Sequence, residues 1–388
     1  MKMSKAHGLL FLVSLGILFS GNVAAESETA INPVRGVDVD SYLEKIELPP
    51  GFQISIYARN VSGARAMALS PRGILFVGTF RERGKEPPGT VYAVMDDDND
   101  HQADRVITVA ENLDHPNGVA VLGDDLYVAE ISRILRYRGL AADPNLKIEP
   151  DVIAVFPKDF HHGWKYINFG PDGKLYVPVG APCNICEAKP EYALIARMNA
   201  DGSEREVFAR GVRNSVGFDW HPVTGDMFFT DNGRDLWGNN RPPEEINHAP
   251  EAGMHFGFPY RYGKNLVDDT YTTTLTDSDF QPAAVELPAH NACLGIEFYT
   301  GKMFPASYQQ QAIVACHGSW NRNPPDGYRL SLVKFDNNRA IGYEHFASGW
   351  LQDEHYWGRP ADVEMLADGS LLVSDDFNHV IYRITYSP

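Results

Sequence analysis

A strand–turn–strand signature recurs along this chain about every 50 residues. SPRGILFVGT turns at Gly73, LGDDLYVAE at Gly123, GPDGKLYVPVG at Gly173 and HPVTGDMFFTDNG at Gly225. A weaker copy, FPASYQQQAIVACHG, turns near Ser307, and LADGSLLVSDD turns at Gly369. In the clear copies, a glycine that tolerates positive φ leads into a run of strand-forming residues. Six such units, each with room for four strands and almost no helix-period segment between them, predict a β-propeller. The spacers are too short for crossover helices between parallel strands. FQISIYA, at 52–58, lies outside the six copies and is expected to join the last blade, so that no long edge is left bare. The predicted fold class is therefore all-β. It is a six-bladed β-propeller with four-stranded antiparallel blades, its ring closed by the N-terminal strand pairing with the C-terminal blade.

The first residues read differently. Lys2 and Lys5 precede an apolar run from Leu9 to Phe19 and a small-residue site at Val23-Ala24-Ala25. That pattern predicts a secretory signal peptide over 1–25, of bacterial type, and a periplasmic mature protein. The apolar run is short for a bilayer span, so no stable membrane insertion is expected after cleavage. A polar, extended segment over 26–47 should lead into a single propeller domain over 48–388. Export permits disulfides. Cys183-Asn-Ile-Cys186 is followed by Glu187, which excludes haem attachment, and a local disulfide is the expected state. Cys293 and Cys316 lie in two apolar segments able to pair as neighbouring strands, which makes a second bond possible. With 34 basic and 51 acidic residues the net charge is −17, which disfavours nucleic acid as a partner. Asp96, Asp98, Asp100 and Asp104 place alternating oxygens that can wrap Ca²⁺, but His101 replaces the turn glycine and no glutamate closes the loop. A solvated acidic turn is the favoured reading there. Residues 235–290, rich in Gly, Pro and Asn, are expected to form loops over one face.

In a propeller the inner strand of each blade runs from one face of the disc to the other. The residues ahead of each turn therefore gather around one mouth of the central channel, and the loops after the second strands return to it. The lead-ins carry Arg65, His115, Asn117, His161, His162, Arg213, Asn214, His290, Asn291, Arg359 and Asp362. The return loops add DNGRD at 231–235 and HGSWNR at 317–322. A cationic mouth on an acidic chain points to an anionic ligand held by guanidinium forks. A neutral histidine there is suited to take a hydroxyl proton, and either His161 or His162 is placed to do so.

Several stretches together resemble the soluble quinoprotein glucose/sorbosone dehydrogenases, also called aldose sugar dehydrogenases. They are LPPGFQISIYA, PNGVAV, FGPDGKLYV, GVRNSVGF, TDNGRDLWGNNRPPEEIN, LGIEFYTGKMFP, HGSWNRNPPDGY and GRPADV, in order over nearly the whole mature chain. The closer likeness is to the sorbosone-dehydrogenase-like branch. The resemblance implies a periplasmic oxidoreductase that oxidises an aldose or sorbosone-like sugar by hydride transfer to pyrroloquinoline quinone (PQQ). A histidine would act as general base, and Ca²⁺ would polarise the quinone. It selects His162, eight residues before Gly170 of the turn, as the catalytic base. It implies cofactor contacts from Asn117, Arg213, Asn214 and Arg359, and Ca²⁺ ligation by the backbone carbonyls of Gly233 and Arg234. His317 or Arg322 would stand where the family carries a cofactor lysine.

One departure matters. The glucose dehydrogenases of this family orient their histidine with an aspartate, and Ala181 occupies that place here. The expectation is an orienting group from elsewhere, or a base titrating near the ordinary histidine value of about 6.5. Two other readings compete. A calcium-dependent lactonase or related hydrolase on a six-bladed propeller would need carboxylates and amides converging on an axial metal. A binding propeller without chemistry would need neither. The sugar and the electron acceptor are not legible in the sequence.

Overall fold

The computed structural model describes residues 33–80 and 89–388; the expected signal segment lies outside them. Six antiparallel sheets form the six blades of a β-propeller. Blade one comprises Ala64–Leu69, Leu75–Thr79, Gly89–Met95 and Arg105–Leu113. Blade two follows with Gly118–Leu122, Asp125–Ala129, Arg133–Tyr137 and Asp151–Val155. Blade three is Asn168–Phe169, Leu175–Val179, Leu194–Met198 and Glu206–Arg210. Blade four is Phe218–Trp220, Met227–Asp231, Glu244–Ala249 and Val285–Leu287. Blade five is Cys293–Phe298, Ala312–Cys316, Arg329–Asp336 and Arg339–Ala347. Blade six takes Pro360–Met365, Leu371–Asp375 and Val380–Tyr386 from the C-terminus, and Phe52–Ala58 supplies its outer strand. That last pairing is antiparallel, with Phe52 opposite Tyr386 and Ile56 opposite Tyr382, and it closes the ring as the sequence predicts.

The repeat is legible because of where its second strand sits. In five of the six blades this strand is buried at every residue. A strand covered on both faces by neighbouring blades needs no polar alternation, which is why LFVGT, LYVPV and MFFTD read as nearly continuous apolar runs. The turn glycines Gly73, Gly123, Gly173, Gly225 and Gly369 all have positive φ, between 61° and 86°. Among the described residues, no helix is long and apolar enough to cross a membrane.

Three local expectations need correction. His161 and His162 lie in a turn rather than on a strand, because the inner strand of blade three is cut to Asn168–Phe169. The segment 235–290 is not loop alone. It contains the third and fourth strands of blade four, and Met254–His255 adds a parallel fifth strand to blade three. Pro242-Pro243 and the short length of EEINHA hid those strands. The segment leading into the propeller holds a one-turn helix, Val39–Leu43. The weak fifth copy turns at Ser307 as expected, on a 3₁₀ turn over Ala306–Tyr308. Both disulfides are formed: Cys183–Cys186 closes its local loop, and Cys293–Cys316 joins residues directly opposite on adjacent strands of blade five.

Candidate functional site

His162 is the centre of the mouth. Its backbone is left-handed (φ 51°), and its Nδ1 lies 2.8 Å from the Ala181 carbonyl oxygen. A carbonyl only accepts, so Nδ1 carries the proton and Nε2 is left as the basic atom. The orienting group absent from the side chain at 181 is thus supplied by the backbone of the same residue. Gly180 makes this approach possible, since a Cβ there would come within 2.5 Å of the His162 Cβ. Burial, then the Arg213 charge and the neighbouring His161, hold the His162 imidazole well below its ordinary value of 6.5. This corrects the expectation of an ordinary titration. His161 is close by, the two ring centroids lying 4.1 Å apart in an edge-on contact. What separates them is that His161 is exposed, whereas His162 is partly buried and fixed.

A second buttress was not foreseen. Lys165 is buried, and its Nζ donates to the carbonyls of Ile131 at 2.6 Å and Gly163 at 3.0 Å. Desolvation lowers its pKa to about 8. It pins the residue that follows His162. Asn117 is fully buried beside it, donating from Nδ2 to the Lys165 carbonyl while its Oδ1 has no partner among the described residues.

Arg213 is more deeply engaged than its motif suggests. Its Nε donates to the Asn184 carbonyl (2.9 Å), Nη1 to the Asn232 carbonyl (2.9 Å), and Nη2 to Asn184 Oδ1 (2.8 Å) and Asp235 Oδ2 (3.1 Å). One guanidinium N–H remains. Asn184, carried between the two bonded cysteines, is therefore the partner that fixes Arg213, and its Oδ1 also accepts from the Asp235 amide. Its position inside the Cys183–Cys186 loop was the available signal. Asn214 lies beside Arg213 and donates its backbone N–H to Asp231.

Across the channel, Arg65, His317 and Arg359 converge on one buried carboxylate, Asp376. Arg65 Nη1 is 2.9 Å away, His317 Nε2 3.0 Å and Arg359 Nη2 2.9 Å. Burial works against ionising Asp376, but Arg359, His317 and Arg65 hold its pKa well below the carboxylate range. Desolvation pushes the His317 imidazole down to about 4. Arg359 stays partly open over Tyr356 and Phe377, whereas Arg65 is buried. Arg322 donates to the Ala289 carbonyl at 3.0 Å, away from this cluster. Asp376 was missed although SDD at 374–376 occupies the same return position as TDN at 230–232.

The Gly233–Arg234 turn is held from behind. Gly233 N–H donates to Glu244, which also accepts from Ala292 N–H, and burial pushes Glu244 up to about 8. The Arg234 side chain points away, to Asp268 at 2.6 Å and over the Trp237 ring. The two carbonyls of this turn accept no hydrogen bond from the described residues, which leaves them available to a cation. The remaining lead-ins are structural. His290 pairs with the Gly238 carbonyl, Asn291 with Arg329, and Asp362 accepts from Met67 N–H inside the channel. His115 packs against Phe160 and pairs with Asp114. In the acidic loop, Asp96, Asp98 and Asp104 bring oxygens within 4.8 Å of one another; each accepts one backbone N–H, and Asp96 Oδ1 is buried without a partner among the described residues.

These elements define a six-bladed propeller whose mouth sets one fixed histidine among arginines and amides. Residues 38–386 match the family described as "Domain of unknown function (DUF7133)", and the chain belongs to that family. An uncharacterized protein of Borreliella burgdorferi is 34% identical over 357 residues, covering 88% of this chain and 91% of its own. The fold is shared with the Carbohydrate-Active Enzymes Family AA12 protein of Trichoderma reesei. Its iodide structure has TM-score 0.74 and 18% identity, covering 88% of this chain and 98% of that one. Its calcium structure has TM-score 0.71 and 18% identity, covering 88% and 97%. The holo form of the pyranose dehydrogenase PQQ domain from Coprinopsis cinerea has TM-score 0.71 and 19% identity, covering 88% and 97%.

Proposed function

We propose that this chain is a periplasmic PQQ- and Ca²⁺-dependent dehydrogenase that oxidises an aldose or sorbosone-like sugar and passes electrons to a separate acceptor. The observation that carries the reading is the fixed tautomer of His162, with Nδ1–H on the Ala181 carbonyl and a basic Nε2 inside a cationic mouth. The fold likeness to a PQQ domain and to a protein with a calcium structure supports the choice of cofactors. The residues present suit both groups. Arg359 and Asn214 are the open contacts for an anionic ring system, with the one remaining N–H of Arg213 beside them and His317 behind. The unpartnered Oδ1 of Asn117 is a buried acceptor close to the His162 turn. Arg322, tied to Ala289, is placed to contribute charge rather than a direct fork. The Gly233 and Arg234 carbonyls would hold the cation.

A bound PQQ, held by Arg359 and Asn214, would supply a hydride acceptor, and a Ca²⁺ held by the Gly233 and Arg234 carbonyls would supply Lewis-acid polarisation. The protein's own part is to orient the sugar hydroxyl and to take its proton on His162 Nε2. The Ala181 carbonyl then stabilises the imidazolium that forms, as an acceptor for Nδ1–H. The depressed pKa keeps the ring unprotonated, and thus ready, under mildly acidic conditions. A hydrolase reading draws less support. The inward carboxylates Asp231 and Glu244 each hold two backbone N–H groups rather than facing an open metal position.

The test is reconstitution. Purified protein is mixed with PQQ and Ca²⁺, and reduction of a redox dye is followed with a panel of aldoses. Sugar-dependent reduction that requires both additions is the expected result. PQQ that neither binds nor supports dye reduction with any sugar would reject the reading.

A further inference from the structure

The segment ahead of the propeller is a strap, tied at both ends to the connection between blades five and six. Val34 N–H donates to the Tyr356 carbonyl at 2.8 Å, and Glu47 and Ser348 exchange both backbone hydrogen bonds, at 2.8 and 3.1 Å. Between these ties Tyr42 packs edge-on against Trp357, with ring centroids 5.2 Å apart. The ties fix where the next residue, Arg35, stands. Its guanidinium lies over the Phe377 ring, 5.0 Å from the centroid, and the Arg359 guanidinium lies over the same ring at 5.6 Å. Phe377 follows Asp376 in the loop that returns to the mouth after the second strand of blade six, Leu371–Asp375. The strap therefore carries an arginine to the ring that also supports a mouth arginine.

Arg35 differs from its neighbours in what it lacks. Arg65 and Arg359 both spend N–H groups on Asp376. Arg35 is exposed and has no hydrogen-bond or ion-pair partner among the described residues. The chain has 51 acidic residues against 34 basic ones, yet this guanidinium is left bare beside two others. The local charge count has the same sign. Three guanidiniums face two carboxylates, Asp375 and Asp376. Asp375 is turned inward, accepting from the Tyr382 hydroxyl and the Asn378 amide, and burial raises its pKa. Desolvation keeps His317 neutral near pH 7. Positive charge is thus in surplus, and it lies at the open end, on Arg35 and on the Arg359 Nη1 that Asp376 does not use. An incoming anion relieves that repulsion, and guanidinium forks match the planar geometry of a carboxylate.

We propose that Arg35 and Arg359 form a carboxylate subsite on the blade-six side of the mouth, half of it supplied by the N-terminal strap. The subsite rests on the dehydrogenase reading only for the source of the carboxylate, which is either the quinone cofactor or an acid sugar such as a uronate. Two binding arms separate these sources, and neither needs turnover. Fluorescence titration with Ca²⁺ present measures PQQ affinity, and calorimetry of the PQQ-loaded protein compares glucuronate with glucose. Wild type, Arg35→Ala and Arg35→Lys are measured in both arms. Arg35→Ala should weaken a carboxylate ligand about tenfold at low ionic strength, and much less at about 1 M salt, where the screening length falls to about 3 Å. The melting temperature of the unliganded protein should stay unchanged, since the side chain is exposed and unpaired. Arg35→Lys, which keeps the charge and loses the fork, should recover part of the affinity. A loss confined to PQQ assigns the carboxylate to the cofactor, and a loss confined to glucuronate assigns it to the substrate. If wild type binds no PQQ, the dehydrogenase reading fails, and glucuronate binding to the cofactor-free protein decides the subsite alone. Unchanged affinity for both ligands in Arg35→Ala overturns the subsite. So does a loss for glucose equal to that for glucuronate, a loss matched by a fall in melting temperature, or a wild type that binds neither carboxylate ligand.

Discussion

Removing the His162 imidazole tests the mechanism most directly. The general base is worth about 10²–10⁴ in rate, or roughly 3–5 kcal/mol of barrier at 1.36 kcal/mol per decade. His162→Ala should therefore lose most of kcat at saturating PQQ and Ca²⁺. It also forfeits the 2.8 Å hydrogen bond to Ala181, which should lower stability by about 1 kcal/mol. That loss is small enough for the variant to fold and load its cofactor. The pH profile adds an independent readout. Burial and the Arg213 charge depress the folded-state pKa below 6.5, so the ring is neutral above the depressed value and active there. Wild-type kcat should persist as pH falls through 6.5 and fail only well below it. The stability linkage has the same sign: the contribution is complete above 6.5 and is lost as pH falls through the folded-state value. His161→Ala should keep most of kcat, since that ring is exposed and lacks a fixed tautomer. The assay is dye-coupled turnover of both alanine variants across an acid-to-alkaline series. An inactive His161→Ala beside an active His162→Ala, or an acid limb centred at 6.5, would refute the assignment.

Three further outcomes follow from the geometry. Arg213→Ala should act on folding, because it strands Asn184, Asn232 and Asp235; a loss of about 3–5 kcal/mol in denaturant titration is expected for a broken buried ion pair. Arg359→Ala should weaken PQQ binding about tenfold or more, read by quinone titration, and should also lower the melting temperature, because it removes one of the two guanidinium partners of the buried Asp376. The channel carboxylates should make the protein lose stability as pH rises from the acid range to neutrality. Burial raises Asp219 and Asp362 to about 7 and Glu364 to about 8, so their protonated forms stabilise the native state at low pH and that contribution is lost as pH rises through these values. Asp362→Asn, which keeps an acceptor for Met67 N–H, should flatten the fall in melting temperature between about pH 4 and pH 7.

The architecture was legible because a propeller repeats one buried strand, and burial on both faces writes itself into sequence as an apolar run behind a turn glycine. Blade four was the exception, since its outer strands are short and separated from the repeat by prolines and glycines. Residue types at the mouth were also legible, but their partners were not. Nothing in the sequence distinguishes the guanidinium of Arg213, spent on Asn184 and Asp235, from that of Arg359, which remains partly open. The orienting group for His162 was invisible for a different reason: every residue has a backbone carbonyl, so the one used at Ala181 leaves no mark on the side chain. Asp376 was the readable omission, since its place after the second strand of blade six repeats a position already recognised in blade four.

The first and last strands of the propeller lie in one ladder, Phe52–Ala58 against Val380–Tyr386. The sixth blade is therefore a latch made from segments separated by more than 300 positions in the chain. Neither half of the latch can engage before the other has been synthesised, so the ring is a product of completion rather than of growth. A lesion in either terminal strand opens the same seam, and its cost falls on all six blades through their shared flanks. The same adjacency offers an engineer a natural splice. The two ends can be joined and the chain reopened at a solvent-facing turn without disturbing the mouth on which the chemistry depends.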